Sequence, residues 1–300
     1  LLRKTFIING ASGGMLGATY YRELFRLQQK GESVKLTDNQ YANNISEDIL
    51  NAVFSTFVTR DLFAPAQQFS SGPFKYVKDR GFAFEEQFNR NTGKILNYTL
   101  GDIAEDERNA RVPLMVFNAT ITRDGRKMIF STQPLSFMMR NWPDTNNGIS
   151  TEPDAVDFGA FFKYQQPYNL RLLSTLRINA TFPYVLPNVW LPSNPIIDVM
   201  DGGMRDNFGQ ESSLRFLHAM QQWIEANTRG VIFIQIRDRK DGDWDENYDD
   251  PSFSGMFTKP IMTLQHNWMK MQDYYQDEMT QYAYTGFSFP FNKINFSYSP

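Results

Sequence analysis

The chain has 300 residues, with no cysteine, two histidines, 30 Lys+Arg against 33 Asp+Glu and a formal net charge of −3. Without cysteine there is no disulfide framework, no thiolate nucleophile and no Cys-ligated metal, and His218 and His266 are too few for a His-rich centre. The slightly acidic balance argues against a nucleic-acid partner, which leaves Ser/Thr, Asp/Glu, Lys and backbone amides to do any chemistry, with no metal or cofactor expected.

In chain order, Thr5 to Asn9 is a short apolar run with the look of a buried strand. The chain enters it almost at once. A protein rarely begins inside its central sheet, so a longer protein with its own N-terminus upstream is expected. A glycine-rich turn, Gly10-Ala11-Ser12-Gly13-Gly14, leads into a helical stretch to about Lys30 that stops at Gly31. Ser46 with Glu47 and Asp48 predicts an N-cap and acidic first turn for a helix to about Arg60. Residues 61–108 are broken by Pro65, Gly72, Pro73, Gly81 and Gly93 and read as loops and short helices. Val112–Thr122 and Lys127–Thr132, joined through Asp124-Gly125, predict a hairpin. Residues 140–153 read as loop, and helices are expected at about 154–163 and 168–178. A strand at Ile196–Met200 ends on Asp201-Gly202-Gly203. A helix over Gln210–Asn227 carries Leu214, Leu217, Met220 and Ile224 on one stripe. Val231–Ile236 reads as the clearest buried strand, Pro260 opens a helix to about Ala283, and the alternating tail from Phe287 suggests an edge strand. Strands alternating with helices, without repeats, predict a single α/β domain over 1–300. No window of 18 or more apolar residues, the length a bilayer-spanning helix needs, is present.

The G-x-S-x-G pattern occurs at Gly10–Gly14, between a strand and a helix, which is the setting of a nucleophile elbow. There a serine on a sharp turn needs small neighbours and presents its hydroxyl at the positive end of the helix. Ser12 is the candidate nucleophile and the Gly13 amide the candidate oxyanion donor. Gly14, Gly17 and Ala18 would let the helix lie close to the sheet. The plainer alternative is a glycine-rich turn with a helix-capping serine, which could also hold an anion.

A serine nucleophile needs a base. His218 and His266 both lie in helical, apolar surroundings and read as packing residues. Asp201 stands at a strand end before two glycines, where a base belongs, although a turn aspartate before Gly-Gly is common. Asp198 would lie inside the same strand.

The pairing of Gly10-Ala11-Ser12-Gly13-Gly14 with the distant Asp201-Gly202-Gly203 resembles the patatin-like phospholipases, and more distantly the animal cytosolic phospholipases. Asn179-Ala180-Thr181-Phe182-Pro183 resembles the family's small-residue-Pro segment. Pro113–Thr120 resembles its central strand, and Asn207 the asparagine of its D-G-G-x-x-x-N pattern. The likeness spans roughly residues 5 to 209. It implies a three-layer α/β sandwich, with a mostly parallel central sheet flanked by helices. It also implies a Ser12–Asp201 dyad that hydrolyses lipid or phospholipid esters through an acyl-enzyme, with Gly10, Gly14, Gly202 and Gly203 supporting the two turns. Peripheral contact with a membrane surface would accompany such a substrate. The family's glycine-rich oxyanion segment precedes its elbow and has no counterpart here, so these 300 residues alone are expected to be weak or inactive as an esterase. A catalytically silent lipid-binding or scaffold module with the same fold is the alternative, and a His-using hydrolase a more remote one.

Other signals carry less. Asp241, Asp243 and Asp245 have the spacing of a calcium loop but lack its glycine at the sixth position and its glutamate at the twelfth. Asn44, Asn97, Asn118, Asn179 and Asn295 begin N-x-S/T sequons, with Asn118 and Asn179 expected to be buried. Met138, Met139 and Trp142 are a candidate lipid-facing lip.

Overall fold

The computed structural model describes residues 1–65, 67–140, 152–181, 185–237 and 253–297, the side chains of 253–266 and 269 excepted. Asp241, Asp243 and Asp245, the 140–153 loop from residue 141 to 151 and Trp142 lie outside the described residues. The elements run β1 (Ile7–Gly10), α1 (Ser12–Gln29), α2 (Asn39–Ser46), α3 (Leu50–Thr56), β2 (Gln67–Ser71), β3 (Phe74–Lys78), α4 (Arg80–Asn91) and α5 (Leu100–Arg108). They continue with β4 (Leu114–Ile121), β5 (Lys127–Phe130), β6 (Ala155–Asp157), α6 (Phe158–Phe161), α7 (Leu172–Asn179), β7 (Val189–Trp190), β8 (Asp198–Asp201) and α8 (Gly203–Asp206). The last are α9 (Gln210–Ala219), α10 (Gln221–Asn227), β9 (Val231–Arg237), α11 (Phe253–Gly286) and β10 (Phe291–Ser297).

The architecture is α/β. Where the sequence reads as one domain, the contacts group into two compact units, Leu1–Asn141 with Thr151–Arg205, and Trp142–Ser150 with Asp206–Pro300. The first unit holds a sheet ordered β6-β5-β4-β8-β7, with β1 also on β4. This sheet is mixed and not mostly parallel. β1 with β4 and β5 with β6 are parallel, while β4 with β5, β4 with β8 and β7 with β8 are antiparallel. The reason is local at β4–β5. A short connection through Gly125, at φ 73°, can only join antiparallel neighbours.

Helix α1 follows β1 directly and buries Met15, Tyr20, Leu24 and Phe25. A buried ion pair fastens it to the sheet. Arg22 donates to Glu107 of α5, and the same carboxylate accepts from Thr132 and from the Met115 amide of β4. Tyr98 Oη donates to Glu23 at 2.8 Å. Burial pushes the Glu107 carboxyl up, and the adjacent Arg22 guanidinium opposes it. Breaking such a pair by removing one partner is strongly destabilising, because the other charge stays buried. The direction in which α1 points is therefore rigidly held. Helix α7 packs on β4 and β8, and also touches α1.

Several local expectations are corrected. Ser46 ends α2 and does not open the next helix. Asp48 does that, accepting from the Leu50 and Asn51 amides at 2.9 and 3.3 Å. The 67–78 stretch forms an antiparallel hairpin, and 155–157 is strand where helix is expected. The single helix expected over 210–227 is broken at Met220 into α9 and α10.

In the second unit β9 and β10 pair in parallel. Its core joins Leu214, Leu217 and Ile224 to Phe287, Phe289 and Phe291. The expectation of a buried β9 holds for one face only. Ile232, Ile234 and Ile236 are exposed, because a run of apolar residues carries no information on whether a second layer covers its other face.

Candidate active site

Gly10 pairs with Phe117 of β4, and Phe117 pairs on its other edge with Phe130 of β5. Asp201 pairs with Ala119, which likewise pairs on its other edge with Met128 of β5. A strand has two edges, so β1 and β8 occupy the same edge of β4. β1 runs parallel to β4 and β8 antiparallel, so their C-terminal ends meet head to head with Asn118 between them. This convergence brings residues 12 and 201 into one site.

At the end of β1 the backbone turns sharply. Ala11 is extended (φ −139°, ψ 165°), and Ser12, the first residue of α1, has φ 56°. A non-glycine residue in the left-handed region costs on the order of 1 kcal/mol, so the turn is strained where the hydroxyl is presented. The N-cap position belongs to Ala11, which has no side-chain oxygen to offer. Ser12 is therefore not the helix-capping serine of the plainer alternative. The first-turn amides of an 18-residue helix, with their partial positive charge, lie beside its hydroxyl.

The glycines around it do different work from that expected. A Cβ at Gly13 or Gly14 would meet nothing within 4 Å, so the first turn of α1 faces open space and Gly14 does not serve close packing on the sheet. A Cβ at Gly17 would reach Ile45 of α2, at an ordinary 3.8 Å. At Gly10 the neighbour is the flexible Met15 side chain, 3.1 Å away. Gly202 is the strict position, since a Cβ there would lie 2.3 Å from the Asn118 carbonyl oxygen.

Asp201 ends β8 and is buried. Its backbone is held by Thr120 Oγ1, which donates to its carbonyl at 2.8 Å, and by its own amide, which donates to Thr181 O at 3.2 Å. Burial pushes its carboxyl up to about 6, opposed by the Gly203 amide, which donates to Oδ1 at 2.7 Å, and by the neighbouring Ser12 hydroxyl. The other carboxylate oxygen, Oδ2, is buried without a well-formed hydrogen bond. The structure thus brings together Ser12, Gly13, Asp201, Gly202 and Gly203. A carboxylate with a raised pKa beside a strained serine can accept its proton.

Asp198 opens β8 and accepts from Thr122 Oγ1 and Asn188, as befits a strand residue away from the strand end. His218 packs its ring on Phe287 at 4.5 Å, and burial holds its pKa below the ordinary value. The Asn207 amide donates to Gln272 Oε1 at 3.2 Å. Met138 of the expected lipid-facing lip is fully buried, so that lip is not formed by it. Among the described residues no His/Cys/Asp/Glu group could hold a metal ion, and no helix is long and apolar enough to cross a membrane. A cavity of about 320 Å³ lined by Leu2, Arg3, Phe25, Arg111 and Val112 shares no residue with the serine turn.

Two residues beyond the expected set complete the site, Asn118 of β4 and Asn179 at the end of α7, both fully buried. The available signal was a polar amide inside the apolar run Leu114–Ile121. No family model matches the chain, and no curated protein matches it significantly.

Proposed function

We propose that the chain is a serine acyl hydrolase of patatin-like type, acting on lipid esters such as phospholipids or lysophospholipids through a Ser12–Asp201 dyad. The observation that carries this reading is Ser12 at φ 56° on the N-terminus of α1, with the buried carboxylate of Asp201 beside it. A three-layer patatin-like arrangement is part of the same proposal, supported by the packing of α1 on β1 and of α7 on β4 and β8.

In this mechanism Ser12 Oγ attacks the ester carbonyl carbon and passes its proton to Asp201. The oxyanion that forms is stabilised by the Gly13 amide at the helix N-terminus. Collapse expels the alcohol, which takes the proton from Asp201 and leaves an acyl-serine. Water then attacks the acyl carbon, giving a proton to Asp201, and the acid departs as that proton returns to Ser12 Oγ. A lipid substrate is supported by an apolar stripe at four-residue spacing, Leu50, Phe54, Val58 and Leu62, each more than half exposed. It runs along α3 and the π-helical turn Phe57–Asp61.

A fluorophosphonate probe tests the reading. Labelling at Ser12 is expected, lost in Ser12→Ala, strongly reduced in Asp201→Asn and retained in His218→Ala and His266→Ala. Absence of labelling in a folded chain extended upstream would favour a silent lipid-binding module, and loss in a histidine variant would favour a triad.

A further inference from the structure

We propose that Asn118 and Asn179 are positioning residues that lock the turn bearing Ser12 to the turn bearing Asp201. The proposal rests on the dyad reading above. β1 and β8 meet end to end without pairing to each other, so no ladder of backbone hydrogen bonds sets the distance between Gly10 and Asp201. Side chains do it instead. The Gly10 carbonyl, two residues before Ser12, accepts from both Asn118 Nδ2 at 3.3 Å and Asn179 Nδ2 at 3.2 Å. Asn118 Nδ2 also donates to Asn9 Oδ1 at 2.7 Å, and Asn179 Nδ2 to the Asn118 carbonyl at 2.7 Å. On the other side the Gly202 amide reaches the Asn179 carbonyl at 3.4 Å, and the Asn118 carbonyl is the atom that excludes a Cβ at Gly202. One amide group thus spans from the serine turn to the strand that seats the aspartate.

Two features distinguish this from ordinary core hydrogen bonding. The orientation of Asn179 is dictated by chemistry, because a flipped amide would set its oxygen against two carbonyl oxygens. The Oδ1 atoms of both asparagines are buried without a partner. A buried polar atom without a partner is destabilising, so these side chains are poor choices for stability alone, and what they supply is their NH₂ groups, aimed at the junction.

The groups acting on the Asp201 carboxyl are burial, the Gly203 amide and the Ser12 hydroxyl, with no charged neighbour among them. Loosening the Ser12 turn removes one of the two lowering contacts. The test measures kcat, KM and the pH profile of kcat/KM on a soluble ester for Asn118→Leu, Asn179→Leu and, should either fail to fold, the smaller Asn118→Ser and Asn179→Ser. Leu173→Ala in the same helix α7 is the matched destabilised control. In the asparagine variants kcat should fall about 10- to 100-fold with KM within twofold, as expected for misplaced reacting groups, and the acid limb should move to higher pH. The control should keep both kcat and limb. Unchanged kcat and limb in folded asparagine variants would overturn the proposal, as would a control that behaves like them. Fluorophosphonate labelling of the wild-type chain separates the two readings. If Ser12 does not label even in a folded chain extended upstream, the dyad itself is wrong and this inference falls with it. If it labels at the same rate in all variants, only the positioning role is lost.

Discussion

The Gly203 amide donates to Asp201 Oδ1 at 2.7 Å, while Oδ2 of the same buried carboxylate makes no well-formed hydrogen bond. One oxygen is thereby anchored and the other left to receive a proton. Because burial raises the carboxyl to about 6, ester hydrolysis should decline as pH falls through about 6 and Asp201 becomes protonated. A pH profile of kcat/KM on a soluble ester measures this, and a limb near pH 4 would mean that Asp201 is not the base.

The same shift sets a stability trend of defined sign. The folded state binds this proton more tightly than the unfolded chain, whose carboxyl keeps its ordinary value of 3.8. The contribution is therefore complete below about pH 4 and lost as pH rises through about 6. Two pKa units correspond to roughly 3 kcal/mol. Asp201→Asn, which retains an acceptor for the Gly203 amide, should raise the Tm at pH 8 and have little effect at pH 4, while abolishing turnover. Thermal melts at the two pH values check it.

Strain at Ser12 predicts a difference between two inactive variants. Ser12→Ala keeps a Cβ at φ 56° and keeps the strain, whereas glycine adopts that conformation freely. Ser12→Gly should be more stable than Ser12→Ala by about 1 kcal/mol. Urea denaturation of the pair decides it, and equal midpoints would contradict a strained elbow.

Gly202 and Gly14 should respond in opposite ways. Gly202→Ala drives a Cβ onto the Asn118 carbonyl oxygen, and backbone cannot move aside cheaply. A loss of about 1–3 kcal/mol is expected, together with loss of fluorophosphonate labelling. Gly14→Ala meets open space within a helix and should be neutral or stabilising by up to about 1 kcal/mol.

Replacing Leu50, Phe54 and Val58 by serine should weaken sedimentation with phosphatidylcholine vesicles while leaving hydrolysis of a soluble ester unchanged. These side chains are exposed and contribute little to the core. Undiminished vesicle binding would remove the stripe as a lipid contact.

Much of the serine half of the site was legible because it is local. A strand, five small residues and a helix are contiguous, and the hairpin of β4 and β5 announces itself through Asp124-Gly125. Asp201 was legible as a strand end before two glycines. The different duties of Gly14 and Gly202 were not, because each depends on what lies opposite in space. Ser46 and Asp48 were confused because both are good capping residues two positions apart, and only the hydrogen bonds to Leu50 and Asn51 choose between them.

The sequence by itself determined the chemistry available, with no thiol and two histidines in helical contexts, and it placed a serine on a strand–turn–helix and an aspartate at a strand end. Only the tertiary structure decided that β1 and β8 abut on one edge of β4, that the sheet is mixed, and that Asn118 and Asn179 bridge the junction. Periodicity and turn residues report interactions among neighbours in the chain. The meeting of residues 12, 118, 179 and 201 depends on strand register and edge choice, which are set by packing between segments far apart in sequence.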